Sequence, residues 1–241
     1  MKQKVSDYIA EYIAQWGIRD VFTVTGGGAM HMNDAFGHHK MLHCTYQHHE
    51  QACAMAAEAY ARLGNKMAAV CVTTGPGATN AITGVLGAWM DSIPMLVFSG
   101  QARYATTVSA SGLPLRSMGV QECNIVPVVK SLTKYAHMIV HPENIRYHLE
   151  KALYLAVNGR PGPVWLDIPL DVQGAVIETD DLKAYDPEEN PEQQPREIKD
   201  ETVEQILDKL QESKRPVLSP GNGVRLAGAH EDFYQLAELL G

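Results

Sequence analysis

The first group able to do chemistry is a carboxylate. Glu50 stands just before an alanine-rich stretch, Gln51 to Arg62, which carries six alanines between positions 52 and 61. Alanine is the strongest helix former, so the stretch predicts a narrow helix that begins at Glu50. Alone, a first-turn glutamate is a partner for the positive end of the helix dipole. Its company suggests a further role. Thr74-Gly75-Pro76-Gly77-Ala78-Thr79-Asn80 follows an apolar, β-branched run, and Gly26-Gly27-Gly28 follows another. Glycines at such turns let a ligand approach the backbone, and a helix start offers it free N–H groups. Neither turn is a Walker loop, and neither carries the G-x-G-x-x-G dinucleotide fingerprint. Arg103 and Arg116, in a long polar segment from Gln101 to Gly119, are candidates for an anionic substrate group.

These residues need elements to position them. Val5, Tyr8, Ile9, Tyr12, Ile13 and Trp16 repeat at helical spacing until Gly17, and Asp20 to Val24 reads as the first strand. Met41–Tyr46, Val70–Thr73 and Met95–Gly100 are further strands. The last is apolar almost throughout, as in a strand buried on both faces. Ser131–His141 reads as a strand, Ile145–Val157 as a helix and Pro163–Pro169 as a closing strand. The alternation predicts an α/β fold, a doubly wound, mostly parallel sheet flanked by helices. In such sheets ligands gather at the carboxyl ends of strands. Residues 25–28, Glu50, 75–80 and 100–101 all fall at such ends.

Order and spacing of the motifs now carry a resemblance. Gly26-Gly27-Gly28, His49-Glu50-Gln51, Thr74 to Asn80, Met90-Asp91-Ser92-Ile93-Pro94, Gly100-Gln101, Gln121-Glu122 and Gly159-Arg160-Pro161-Gly162-Pro163-Val164 are all matched. From Val21 to Val172 the chain resembles the pyrimidine-binding domain of thiamine-diphosphate enzymes of the acetolactate synthase group. The resemblance implies an enzyme that makes or breaks a C–C bond beside a carbonyl, with a 2-oxo acid or related substrate. It implies that Glu50 bonds the cofactor's aminopyrimidine N1′ and that Gln121 meets the substrate. Gly26, Gly27, Gly28, Thr74, Gly75, Pro76, Gly77 and Asn80 would form the cofactor and substrate walls. Glu50 would then need a dry site, in which desolvation favours sharing a proton. Flavin-dependent members use an arginine at the position of Arg160, so FAD is a possible second cofactor. The chain departs from the family at Val120, where Phe is usual, and over residues 113–119. Substrate identity is what those departures leave open.

No Gly-Asp-Gly segment is present, so the part that holds diphosphate and Mg2+ is expected elsewhere. The expected organisation is a pyrimidine-binding domain over 1–177, a linker over 178–200 carrying Pro187, Pro191 and Pro195, and a truncated second α/β piece over 201–241. In that piece Pro216–Val224 reads as a strand with a glycine turn, between a helix at Glu201–Lys214 and another at His230–Leu240. A homodimer or homotetramer with its site at the subunit interface is implied, and the chain alone is expected to be inactive. A separate pyrimidine subunit of a split decarboxylase and a non-catalytic module of the same fold stay open as alternatives.

Composition narrows the rest. Twenty basic against 28 acidic residues give a net charge of −8, without a basic tract, which argues against nucleic acid. No apolar run reaches the ~20 residues of a membrane span. Met1-Lys2-Gln3-Lys4 leads into the amphipathic segment without a signal peptide, and four scattered cysteines fit free thiols in the cytoplasm. His31, His38, His39, His43, His48 and His49 crowd one half of the chain, but their spacing matches no standard metal pattern.

Overall fold

The computed structural model describes residues 1–194 and 197–240; Pro195 and Arg196 of the expected linker and the last residue, Gly241, lie outside the described residues. The chain forms two compact units, Met1–Gln193 and Gln194–Gly241.

In the first unit the strands are β1 (Lys2–Lys4), β2 (Asp20–Thr23), β3 (His43–Tyr46), β4 (Ala69–Val72), β5 (Met95–Gln101), β6 (Tyr135–Met138), β7 (Pro163–Pro169) and β8 (Val176–Glu178). The helices are α1 (Val5–Trp16), α2 (Met30–His38), α3 (Glu50–Gly64), α4 (Pro76–Asn80), α5 (Ile82–Met90), α6 (Val108–Ser111), α7 (Ile125–Val129), α8 (Ile145–Val157) and α9 (Leu170–Gly174). Six strands make a parallel sheet in the order β3-β2-β4-β5-β7-β6. The α/β, doubly wound sheet expected from the alternation is therefore present.

Its winding matters for function. The chain steps outward from β2 to β3, then returns across β2 to lay down β4 and β5. Winding reverses between β2 and β4, and such reversals open a crevice at the strands' carboxyl ends. The loops leaving β2 and β4 carry Gly26–Gly28 and Thr73–Gly77.

Every residue of β4, β5 and β7 is buried, as a strand covered on both faces requires. Alternation divides β4 between the faces: Ala69 and Cys71 join a cluster with Ile9, Phe36, Leu149 and Leu166, while Val70 and Val72 do not. The cluster seats α1, α2 and α8. α3 packs on β2, β4 and α5. There the small residues serve close approach. A Cβ on Gly84 would lie 2.6 Å from Ala54 Cβ and 2.8 Å from the Met55 nitrogen, so the two helices meet almost backbone to backbone.

Among the described residues one carboxyl group is fully buried. Asp167, at 0% exposure in β7, accepts hydrogen bonds from Ser99 Oγ (2.6 Å) and Gln101 Nε2 (3.1 Å), and Ser99 also accepts from Trp165 Nε1 (2.8 Å). No cation is among these partners. Burial pushes the Asp167 carboxyl up to about 7, against the opposing pull of Ser99 and Gln101.

The first unit has two features that polar sequence concealed. β1 pairs antiparallel with β8, Lys2 opposite Glu178, where the sequence reading has only a lead-in to a helix. The segment read as a linker packs against this unit as far as Gln193: Leu182 and Tyr185 are buried, and the Tyr185 nitrogen donates to Glu150 Oε2 at 2.7 Å. In the second unit the helices are α10 (Asp200–Glu212), α11 (Asn222–Leu226) and α12 (His230–Leu240). The strand expected at Pro216–Val224 is absent among the described residues: 216–221 has no regular structure and Asn222 begins α11. A strand needs a neighbour to receive its backbone bonds, and two prolines in that run withhold donors.

Two predictions follow from this packing. Gly84→Ala should lower the unfolding free energy by ~1–2 kcal/mol, overpacking outweighing a helix gain of ~1 kcal/mol. Gly87→Ala on the same helix, where a Cβ meets nothing within 4 Å, should raise it by ~0.5–1 kcal/mol; urea unfolding of both variants checks the pair. Asp167 is held above its ordinary value, so its contribution is full below the usual aspartate range and is lost as pH rises through about 7. Stability of the wild type should fall across that window and stay flat in Asp167→Asn, as measured by chemical denaturation at several pH values.

Candidate active site

Glu50 is the first residue of α3, four residues after β3 ends at Tyr46. His49 precedes it in an extended conformation and caps the helix, its Nδ1 accepting from the Gln51 nitrogen at 3.1 Å. The cap leaves the Glu50 carboxylate at the positive end of the helix. Asn80, at the end of α4, reaches it: Nδ2 donates to Glu50 Oε2 at 3.0 Å. Oε1 has no hydrogen-bond donor among the described residues. A Cβ on Gly77 would stand in contact with it at 3.4 Å and would clash with Thr73 Cγ2 at 2.7 Å. Within this chain Glu50 is half-exposed, not dry.

Beside this group lies a cleft of about 510 Å³, bounded by Gly26–Gly28, Thr73, Thr74, Gln101, Arg103 and Gln121 among others. Close approach explains its glycines. A Cβ on Gly28 would lie 1.8 Å from Thr74 Oγ1, and one on Gly26 would lie 2.5 Å from Thr73 Cβ. The Gly28 nitrogen donates to Thr73 Oγ1 (3.1 Å), and its carbonyl accepts from Gln173 Nε2 (2.7 Å). Gly27, by contrast, has open space around it. The opposite rim is pinned as well. Gln121 has φ +55°, rare for a residue with a side chain, and its carbonyl oxygen occupies the place of a Gly75 Cβ, 1.9 Å from that ideal position. Gly75 itself has φ +56°, so glycine is required twice over. Pro76 sits at the first turn of α4, where its missing N–H costs no helical bond.

The residues singled out in the sequence thus fall into two adjoining groups. Glu50, Gly77 and Asn80 form one; Gly26, Gly27, Gly28, Thr74 and Gln121 form the other. Thr73 joins them, its side chain reaching the Cβ positions of Gly26, Gly28 and Gly77. The sequence reading quoted Thr73 but gave it no role; a threonine at a strand end carries no signal of its own. Gln173 was missed too, since its partner Gly28 is 145 positions away. Arg103 lines the cleft, whereas Arg116 is exposed and does not.

Arg160 belongs to neither group. Its Nε donates to Ser92 Oγ at 2.6 Å, and it lines a separate pocket of about 440 Å³ with Trp89, Met90 and Lys134. Burial lowers the Lys134 ammonium to about 8. Three of the six histidines singled out in the sequence lie against carboxylates, His38 against Asp34, His39 against Glu11 and His43 against Asp20, and no group of three metal-ligating side chains occurs among the described residues. No helix there is long and apolar enough to cross a membrane.

Known proteins with similar sequences can be set beside this geometry. Residues 3–122 match the family described as thiamine pyrophosphate enzyme, N-terminal TPP binding domain. Acetolactate synthase 2, chloroplastic, of Zea mays is 35% identical over 246 residues, covering 99% of this chain and 36% of the relative. The acetolactate synthase large subunit of Lactococcus lactis subsp. lactis is 33% identical, covering 97% and 39%. That of Corynebacterium glutamicum is 34% identical, covering 92% and 34%. The chain spans a little over a third of the length of the curated relatives it matches. The matched residues include Gly26–Gly28, Thr73, Thr74 and Gln121 of the cleft, and Glu50 and Asn80 beside it. The chain belongs to the thiamine pyrophosphate enzymes, residues 3–122 matching their N-terminal TPP-binding domain.

Proposed function

We propose that this chain supplies the pyrimidine-binding half of the active site of an acetolactate-synthase-like enzyme, acting on a 2-oxo acid or a related carbonyl compound. The observation that carries the reading is Glu50, held by Asn80 at a helix start beside a cleft walled by glycine turns. The cleft lined by Gly26–Gly28, Thr73 and Thr74 has room for a flat heteroaromatic ring, and the open Oε1 of Glu50 beside it fits a ring nitrogen. When bound, thiamine diphosphate supplies a carbon that adds to a carbonyl and stores the electron pair released there. Glu50 holds the proton at N1′ of the aminopyrimidine. Asn80 fixes the carboxyl orientation through Oε2, leaving Oε1 to face the ring. Thr73 and Thr74 keep the glycine backbones in place as the wall of the pocket. Gln121 offers its amide to the substrate from the opposite rim, and Arg103 is the cation nearest to hand for a substrate carboxylate.

A half-exposed Glu50 implies a cover, because proton sharing of this kind strengthens when water is excluded. A second copy of the protein is the proposed cover. Met55, Leu86, Trp89 and Met90, exposed at 46, 39, 38 and 68%, give such an interface an apolar surface along α3, the helix that Glu50 begins, and its neighbour α5. Diphosphate and Mg2+ would be held by groups outside this chain's described residues. Flavin, if the enzyme uses it, would meet Arg160 and Trp89 at the separate pocket.

The test uses the protein that joins this chain to its diphosphate-binding domain. Glu50→Gln should lower turnover of a 2-oxo acid by ~100-fold or more while thiamine diphosphate still binds, as read by enzyme assay and cofactor titration. Turnover close to that of the wild type would remove Glu50 from this role.

A further inference from the structure

Residues 102–123 form the rim that carries Arg103, Thr106, Val120 and Gln121 into the cleft. The segment is mostly exposed, with only the four-residue α6 and one short turn of 3-10 helix, yet it is held at many points. Gln101 ties its two ends, accepting from the Ala102 nitrogen (3.0 Å) and donating to the Cys123 carbonyl (2.8 Å). Asp171 accepts from the Tyr104 nitrogen (3.0 Å). The densest point is Glu122. Its Oε1 accepts from the Val108 nitrogen (2.7 Å), and its Oε2 accepts from the nitrogens of Met118 (2.9 Å) and Gly119 (3.0 Å).

One carboxylate thus draws together three amides from both sides of an exposed loop, next to the residue whose backbone is forced to positive φ. Hydrogen bonds to an ionised acceptor are stronger than neutral ones, which suits a loop with little core of its own. Gly119 allows the arrangement, since a Cβ there would lie 2.7 Å from Ala102 Cβ. We propose that Glu122 is the positioning residue for Gln121, its carboxylate folding the rim so that the strained Gln121 backbone stays wedged against Gly75. The inference rests on the substrate-facing role given to Gln121 above.

Burial alone would raise the Glu122 carboxyl, but the three amides together hold it below its ordinary value. Its contribution is therefore present above the usual glutamate range and is lost as pH falls through its own titration. The ionisable neighbour that responds to it is Cys123, whose thiol is pushed up by burial, by Asp167 and by Glu122, and so stays protonated throughout that range.

Nuclear magnetic resonance of the 241-residue chain provides the first test. The amides of Val108, Met118 and Gly119 should shift together with one midpoint below the ordinary glutamate range. Glu122→Gln should abolish this shared titration, because an amide does not ionise, and should loosen the rim, because its NH2 group cannot accept from the donors it faces. Three unrelated midpoints, or a shared titration that survives the substitution, would overturn the proposal. In the protein that includes the diphosphate-binding domain, Glu122→Gln should lower kcat/KM about tenfold or more while the melting temperature moves by only a few degrees. Glu122→Asp, which keeps the charge, should restore part of that loss. Unchanged kcat/KM in Glu122→Gln would overturn the positioning role. If the wild type itself shows no activity on 2-oxo acids, the functional reading fails, while the shared titration still decides whether Glu122 folds the rim.

Discussion

The cleft depends on the approach of two loops leaving β2 and β4, where the winding of the sheet reverses. Thr73 and Thr74 stand where side chains on Gly26 and Gly28 would have to be, and Gly28 and Thr73 are hydrogen-bonded across the gap. Parallel strands fix the spacing and direction of both loops, so the crevice between them follows from topology before any ligand is considered. Larger residues at these positions would push the loops apart and separate the Glu50 group from the Gln121 rim, because Thr73 belongs to both. The site is therefore a packing problem first and a chemical one second.

The chemistry is unevenly distributed around that crevice. On one side Glu50 draws on the start of α3 and on Asn80, both anchored to regular structure. On the other, Gln121 sits on an irregular segment ordered by carboxylates: Asp167 through Gln101 below, Asp171 near the start, Glu122 within. A loop with exposed Leu113, Leu115, Met118 and Val120 has few apolar contacts to hold it, and the Asp171 and Glu122 carboxylates, accepting from backbone N–H groups, take that part.

Sequence alone revealed those parts of the molecule whose physics is local. Alanine content and a leading carboxylate located the start of α3 to the residue, and uninterrupted apolar runs located β5 and β7. The motif order located the cleft. Contacts made at long range left no such trace. Lys-Gln-Lys at the start carries no strand signal and becomes one only because Val176–Glu178 lies beside it. The acidic, proline-bearing stretch after Glu178 reads as a linker, yet two apolar residues, Leu182 and Tyr185, are enough to lay it against α8. Pro216–Val224 failed in the opposite sense: its valines and leucine suggested a strand, but a strand is a property of a pair.

The place of β7 has a consequence for how the chain acquires its fold. β7 lies between β5 and β6 although it is made after both, so β6 pairs only with a strand about 30 residues downstream of its own start. β1 likewise waits for β8, some 175 residues on. During synthesis from the amino terminus, β2 to β5 can assemble early, whereas the far edge and the clasp between the two ends must come late. Non-local pairing of this kind slows folding and leaves an open sheet edge exposed meanwhile. The nascent chain therefore passes through a stage in which the glycine turns are already formed but β5 still lacks its neighbour, and that unpaired edge is where a chaperone, or misassembly, would find it.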